Sequence, residues 1–264
     1  MSDLRKHMPA RLKVPSPGAI ILVIIFVSLF YLGMRHADVT LERLTAGIGN
    51  MFHFISSAFP PDPSRISSIS SAMYETFQIA LVGTAVGVVL SLPIAVLASR
   101  NTSPNNLIRT ATRGMVSTMR TIPDLIWALI FVISVGLGPF AGILTIIVDT
   151  IGFCARFFSE RIEEVDKGPS QALESTGSSR IGVISGSVLP LGFASFVGTG
   201  LFAFEKSIRA AVVLGLVGAG GIGVELSTAF TLRRFDEALM IIILILVVVI
   251  AVEQLSSTIR KKVI

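Results

Sequence analysis

The stretch "LGLVGAGGIGVE", Leu214 to Glu225, places Gly218, Gly220 and Gly223 in the spacing G-x-G-x-x-G, with Gly221 between them. In a dinucleotide-binding turn, that spacing lets the backbone approach a pyrophosphate at a helix N-terminus. The apolar run "AAVVLGLV" precedes it, as a strand would, and Glu225 supplies an acid just beyond. Three other groups could do chemistry. Asp149 lies inside an apolar block, where a carboxylate faces either a cavity or a partner on a neighbouring helix. Glu205 and Arg209 are four residues apart, the favourable order for a pair on one helix face. The histidines, His7, His36 and His53, show no metal-ligand spacing, and the single cysteine, Cys154, excludes an internal disulfide. Inside an apolar segment, Cys154 reads as a small core residue.

Each of these chemistries needs a scaffold, and composition limits which one. Hydrophobic residues make up 52% of the 264 residues and charged residues only 15%, against about 25% charged in soluble domains. Mean hydropathy is +0.79. The apolar residues come in blocks, "AIILVIIFVSLFYLG", "TFQIALVGTAVGVVLSLPIAVLA", "LIWALIFVISVGLGPFAGILTIIV" and "ALMIIILILVVVIAV". Blocks approaching twenty residues suit a bilayer. "IIILILVVVI" does not alternate, so these are helices and not barrel strands. The chain reads as an all-α integral membrane protein. A Rossmann turn needs its own βαβ unit, and no strand–helix alternation surrounds the glycines, so the nucleotide reading fails. In a membrane helix the same glycines permit close packing or a break that lines a cavity. The backbone N–H groups of such a break offer themselves to an anion.

Six spans are predicted: Pro17–Met34, Thr76–Ala98, Thr121–Gly138, Phe140–Phe158, Val188–Phe204 and Ala238–Val252. Residues 35–74 read as a polar connection, and "NNLIRTATRGMVSTMR" as a helical extension of the third span or an interfacial helix. The first segment lacks a small-x-small cleavage site and reads as an uncleaved anchor. Residues 1–74 then form a tail, anchor and extracytoplasmic segment, and 75–264 the core. Of the 22 Lys and Arg, fifteen fall on the side of the termini and seven on the other. The positive-inside rule therefore puts both termini in the cytoplasm. The same bias accounts for a pI near 9.8 with no nucleic-acid partner.

A cytoplasmic loop, "GPSQALESTGSSRIGVISGSVLP", runs from Gly168 to Pro190. Pro169 suits a first helical turn and Gly177 a helix end, so the loop reads as two short helices joined at a bend, a docking knob for a soluble partner. It resembles the EAA loop of bacterial ABC-importer permeases, E-A-A-x3-G-x9-I-x-L-P. Ala172, Gly177, Leu189 and Pro190 match, while Gln171 stands for the glutamate, Leu173 for the second alanine and Ser187 for the isoleucine. "ETFQIALVGTAVGVVLSLPIAVLASRN", "FVISVGLGPFAGIL", "AAVVLGLVGAGGIGVEL" and "FPPD" at Phe59–Asp62 resemble the permease subunit of phosphonate ABC importers. Methionine-importer permeases share the "VGAGGIG" region.

The resemblance implies a type I importer permease of the bacterial inner membrane, a second copy of itself, two ATPase subunits and an extracytoplasmic binding protein. It implies a coupling helix carrying Gln171, Ala172 and Gly177, with Leu189 and Pro190 behind it. No cofactor is expected in this chain; ATP and Mg belong to the partner ATPase. The absence of any G-K dipeptide agrees, since a P-loop requires one. The expected function is inward movement of phosphonate or a related phosphorus oxyanion, with methionine or phosphate as the alternative within the same fold. A secondary transporter or channel would show an inverted repeat or several intramembrane charges. A membrane enzyme would cluster catalytic groups at one depth. For the path or gate, the candidates are Gly218, Gly220, Gly221, Gly223, Arg209, Glu205 and Asp149.

Overall fold

A computed structural model describes residues 16–263. Among them it has helices and no strand: α1 Pro17–His36, α2 Leu41–Ala58, α3 Ile66–Ala98, α4 Asn106–Thr121, α5 Asp124–Val135, α6 Pro139–Glu164, α7 Gly168–Ser175, α8 Arg180–Val183, α9 Leu189–Gly215, α10 Ile222–Thr231 and α11 Phe235–Val263. A π-helical turn, Ile184–Val188, joins α8 to α9. Among the described residues five helical stretches are long and apolar enough to cross a membrane, and α4 with α5 makes a sixth if counted as one broken span. The chain divides into two units, 1–56 and 57–264.

Within the larger unit the central contact is α3 against α6. Gly83, Gly87, Ser91 and Ala95 recur every four residues on α3 and all are buried. Small residues at that spacing let two backbones come close. A Cβ on Gly83 would lie 2.7 Å from Ile146 Cβ, and one on Gly87 2.6 Å from Thr150 Cβ. Further along, Ser99 Oγ donates to Ser159 O at 3.1 Å. The partners' numbers rise together, so α3 and α6 run parallel. The chain must therefore cross back between them, and α4 and α5 are all that is available.

They cross as a broken span. Of the third predicted span, Thr121–Gly138, α5 forms the body; the stretch read as its helical extension or an interfacial helix is α4, which meets α5 at 91°. Pro123 explains the break, because proline disfavours helical backbone in the preceding residue, and Ile122 is extended at φ −79°, ψ 122°. The 12 residues of α5 span only about 18 Å at 1.5 Å per residue, short of the roughly 30 Å hydrocarbon core. α9 runs opposite to α6: Phe196 meets Phe158, Phe202 meets Phe153 and Lys206 meets Asp149.

The other spans sit where the apolar blocks predict, but their helices are longer. α3 starts ten residues before Thr76, α9 continues past Phe204 to Gly215, and α11 reaches Val263. The connection at 35–74, read as polar, contains the helix α2. Two buried clusters fill the core. One gathers Ile69, Ile79, Ile146, Ile208, Leu214 and Ile222. The other holds Ala95, Cys154, Phe158, Ile162 and Phe196, so Cys154 is a fully buried packing residue.

The α3–α6 contact makes a prediction. Gly87→Leu drives a side chain into Thr150 and lowers stability by about 1–3 kcal/mol or more. Gly114→Ala, on α4 with nothing within 4 Å of its Cβ position, leaves stability unchanged or raises it by up to about 1 kcal/mol. Thermal unfolding of the purified chain in detergent or nanodiscs separates the two.

Candidate functional site

At the end of the bundle where α6 gives way to α9, the chain forms a helical hairpin. Asp166 Oδ1 accepts the Gly168 N–H at 3.0 Å and so helps to start α7. Gly177 closes it at φ +81°, its N–H donating to Glu174 O at 3.0 Å. Left-handed backbone costs an L-residue about 1–2 kcal/mol, which is why glycine stands at the bend. Ser179 Oγ then accepts the Gly182 N–H and caps α8. Ser170 and Ser187 hydroxyls, 3.0 Å apart, hold α7 against the π turn.

Pro190 accounts for the π turn itself. In a regular helix its ring would press on the carbonyl four residues earlier, and a widened turn relieves this. Gln171, Ala172 and Gly177 are exposed on the hairpin, and Pro190 is exposed at the start of α9; Leu189 packs into the second core cluster. The predicted loop residues thus divide into an exposed face and its attachment. Behind the hairpin lies a cavity of about 340 Å³ lined by Asn101, Thr102, Gln171, Glu174 and Arg180 among others.

At the other end, α9 stops at Gly215 and α10 starts at Ile222. Gly218, Gly220 and Gly221 have φ of +90°, +82° and +76°. The chain reverses so tightly that a Cβ on Gly215 would lie 2.7 Å from the Gly220 carbonyl oxygen and from Gly223 Cα. The expectation that this break offers its N–H groups to an anion is corrected at two of its donors. Gly221 N–H donates to Glu75 Oε1 at 2.9 Å and Ile222 N–H to Thr76 Oγ1 at 2.7 Å. Gly218 O accepts the Gly138 N–H at 2.9 Å. The helix α3 and the α5–α6 turn therefore hold the glycine segment in place. Glu75 and Thr76 lie 146 residues from their partners, and no local pattern in the sequence announces them.

Three sets of charged groups bear on the candidate residues. Lys206 Nζ donates to both oxygens of Asp149, at 2.8 and 2.9 Å, and sits 5.5 Å from the Phe153 ring centre. Asp124, the first residue of α5 after the break, interacts electrostatically with both partners. Asp149 is ten residues into α6 and Lys206 nine residues before the end of α9. At 1.5 Å per residue, both lie roughly 15 Å from the glycine end, near mid-bilayer depth.

Glu205, buried, pairs with Arg209 at 3.3 Å as its spacing predicts, and also with Arg260 of α11 at 3.4 Å. Near the glycine end, Arg65 bridges Glu225 at 3.1 Å and Glu237 at 3.3 Å. Glu225 first, with Glu237, raises the Arg65 pKa above its ordinary value. Glu225, noted as the acid after a nucleotide loop, is thus an ion-pair partner that ties α10 to the start of α3. Among the described residues no group of three His, Cys, Asp or Glu could hold a metal ion.

Helices of this order, with a broken third crossing and an exposed hairpin, define the fold of type I ABC-importer permeases. Two inward-facing structures of the MetNI methionine ABC transporter superpose with TM-scores of 0.66 and 0.68 at 18% and 20% identity, covering 77% of this chain and 99% of theirs. A family model described as "Binding-protein-dependent transport system inner membrane component" matches residues 87–263, and the chain belongs to that family. It is 32% identical over 241 residues to the putative phosphite transport system permease protein HtxC of Stutzerimonas stutzeri, covering 91% of this chain and 86% of that one. It is 38% identical over 206 residues to the phosphate-import permease protein PhnE of Mycolicibacterium smegmatis, covering 78% of this chain and 39% of that one. A third relative, 38% identical over 126 residues, is the putative cryptic phosphonate transport system permease protein PhnE1 of Escherichia coli; the match covers 48% of this chain and 58% of that one. The chain is accordingly an inner-membrane permease component, a class of subunit that works with an ATPase and a binding protein.

The mid-depth set predicts an order of effects. Lys206→Met leaves Asp149 and Asp124 facing each other with no cation, and costs about 3 kcal/mol, the low end for breaking a buried pair because Lys206 keeps some exposure. Asp149→Asn costs less, about 1–2 kcal/mol, because Asp124 remains as a carboxylate for Lys206. Unfolding midpoints of the two variants check the order.

Proposed function

We propose that this chain is the membrane-crossing subunit of an ATP-driven importer for phosphonate or a related phosphorus oxyanion, phosphite included. The observation that carries the reading is the identity of about a third, over nine-tenths of the chain, to permeases named for phosphite transport. In this reading two copies form the path, two ATPase subunits bind the hairpin ends, and an extracytoplasmic binding protein delivers the anion at the glycine end. Both termini face the cytoplasm. ATP and Mg act in the partner ATPase, and this chain contributes movement and not chemistry.

The residues take roles accordingly. Gln171, Ala172 and Gly177 form the surface that meets the ATPase. Leu189 and Pro190 pass its displacement into α9, which carries Glu205, Lys206 and Arg209. Gly218, Gly220, Gly221 and Gly223 let the end of α9 turn tightly beside the path. Asp149 holds Lys206, and Glu205 holds Arg209 and Arg260, so the cations of α9 are tethered until the helix shifts. Methionine or phosphate is the second reading, phosphate supported by the likeness to the phosphate-import permease and methionine by the fold shared with the MetNI structures. A relative 24% identical over 182 residues, the probable D-methionine permease MetI of Vibrio cholerae, is more distant than the phosphorus group.

Two tests follow from these roles. Cells that can oxidise phosphite and cleave phosphonates but lack other phosphorus importers, given this chain with its ATPase and binding protein, are expected to grow on phosphite or phosphonate as sole phosphorus source. Rescue of a methionine auxotroph without such growth would reverse the ranking. Gly177→Val forces a β-branched residue into φ +81°, a genuine outlier. It is expected to lower binding-protein-stimulated ATPase several-fold while the isolated ATPase keeps its basal rate. Normal assembly with normal stimulation would remove the hairpin from the coupling role.

A further inference from the structure

The helix α2 has a face with nothing on it. Leu41, Leu44, Ile48, Met51 and Ile55 follow one another at three- and four-residue steps, with Phe52 beside Met51. On a helix of 100° per residue they fall within about a 100° arc, the width of an apolar stripe made for burial. All six are exposed, between 45% and 79%. The opposite face carries Glu42, Asn50, His53 and Ser57. Among the described residues α1 and α2 do not pack along their lengths.

The covalent neighbours say where this stripe must be. α1 has 20 residues and high hydropathy, about 30 Å of helix, enough to cross the hydrocarbon core. Residues 37–40 alone separate its end from α2, and residues 59–65 separate α2 from the next spanning helix, α3. Four residues reach at most about 14 Å, so α2 begins at the membrane surface where α1 emerges. The corner is structured. Asp38 adopts φ 51°, Asp38 pairs with Arg43 at 3.3 Å, and Thr40 Oγ1 accepts the Arg43 N–H. α2 itself does not qualify as a span. It is too polar on one side to cross lipid, and too apolar on the other to lie in water.

We infer that α2 lies along the bilayer surface, its Leu41-to-Ile55 stripe sunk among the acyl chains and its polar face in water. Surface helices of large amphipathicity bury such a face roughly 5–10 Å into the headgroup boundary. With one acid and one Arg at its start, the helix takes its binding from apolar burial and not from attraction to anionic lipid. Its seat is the leaflet where α1 ends, whichever way the chain is oriented.

The test uses single nitroxide labels on the full chain in phosphatidylcholine nanodiscs, with Cys154→Ala removing the native thiol. Labels at Ile48→Cys and Met51→Cys report the stripe, and labels at Asn50→Cys and His53→Cys report the opposite face. Relaxation by oxygen, which concentrates in lipid, is compared with relaxation by a water-soluble nickel chelate. The stripe labels are expected to favour oxygen several-fold over the polar-face labels, in the chain alone and in the assembled complex. Equal nickel access on both faces would overturn the inference. So would stripe labels screened from both agents, because that pattern means a second copy or the binding protein covers the stripe.

Discussion

Hydrocarbon offers a backbone nothing to hydrogen-bond with, and this constraint shapes the parts of the protein that are not plain helix. An unsatisfied N–H or C=O in lipid costs several kcal/mol. The chain nevertheless departs from helix at Ile122–Pro123, at Gly136–Gly138 and at Leu216–Gly221. Each departure has its answer. Pro123 brings no N–H to satisfy. At the glycine segment, Glu75 and Thr76 of α3 take up N–H groups, and the Gly138 N–H meets the Gly218 carbonyl. Those partners reach their targets only because α3 lies against α6 at glycine distance. The Gly83–Gly87 contact is thus prior to the glycine break, although the two lie at different levels of the bundle.

The same reasoning governs charge. Glu205, Lys206 and Arg209 on α9 would each be costly at depth if alone. Asp149, Arg260 and the Glu205–Arg209 pair leave none of them uncompensated. Such pairs add little net stability over an apolar packing.

Much of this architecture is legible from residue order. The apolar blocks locate the spans, the glycine-closed "GPSQALESTG" locates the hairpin, and the missing βαβ context disposes of the nucleotide loop. The misses share physical causes. Charges mark the span ends in the sequence, yet α9 and α11 continue through charged residues, of which Lys206 and Arg260 find partners on neighbouring helices. Whether α4 extends the third span or turns away from it is open in the sequence, because the sharp break depends on a single proline, Pro123. α2 vanished into a stretch averaged as polar, although the spacing of Leu41, Leu44, Ile48, Met51 and Ile55 carries the helical period. Lys206 with Asp149, and Glu75 with Gly221, join residues far apart in sequence; only packing shows them.

The most direct measurement is transport by the purified complex in sealed proteoliposomes. This chain, its ATPase and its binding protein are reconstituted with ATP and Mg on the ATPase side and isotope-labelled phosphite or phosphonate with the binding protein on the other. The account predicts accumulation above the external concentration that stops when ATP is omitted or the binding protein is left out. Equal entry of the anion with and without ATP, levelling at the external concentration, would contradict it and mark the chain as a passive pore.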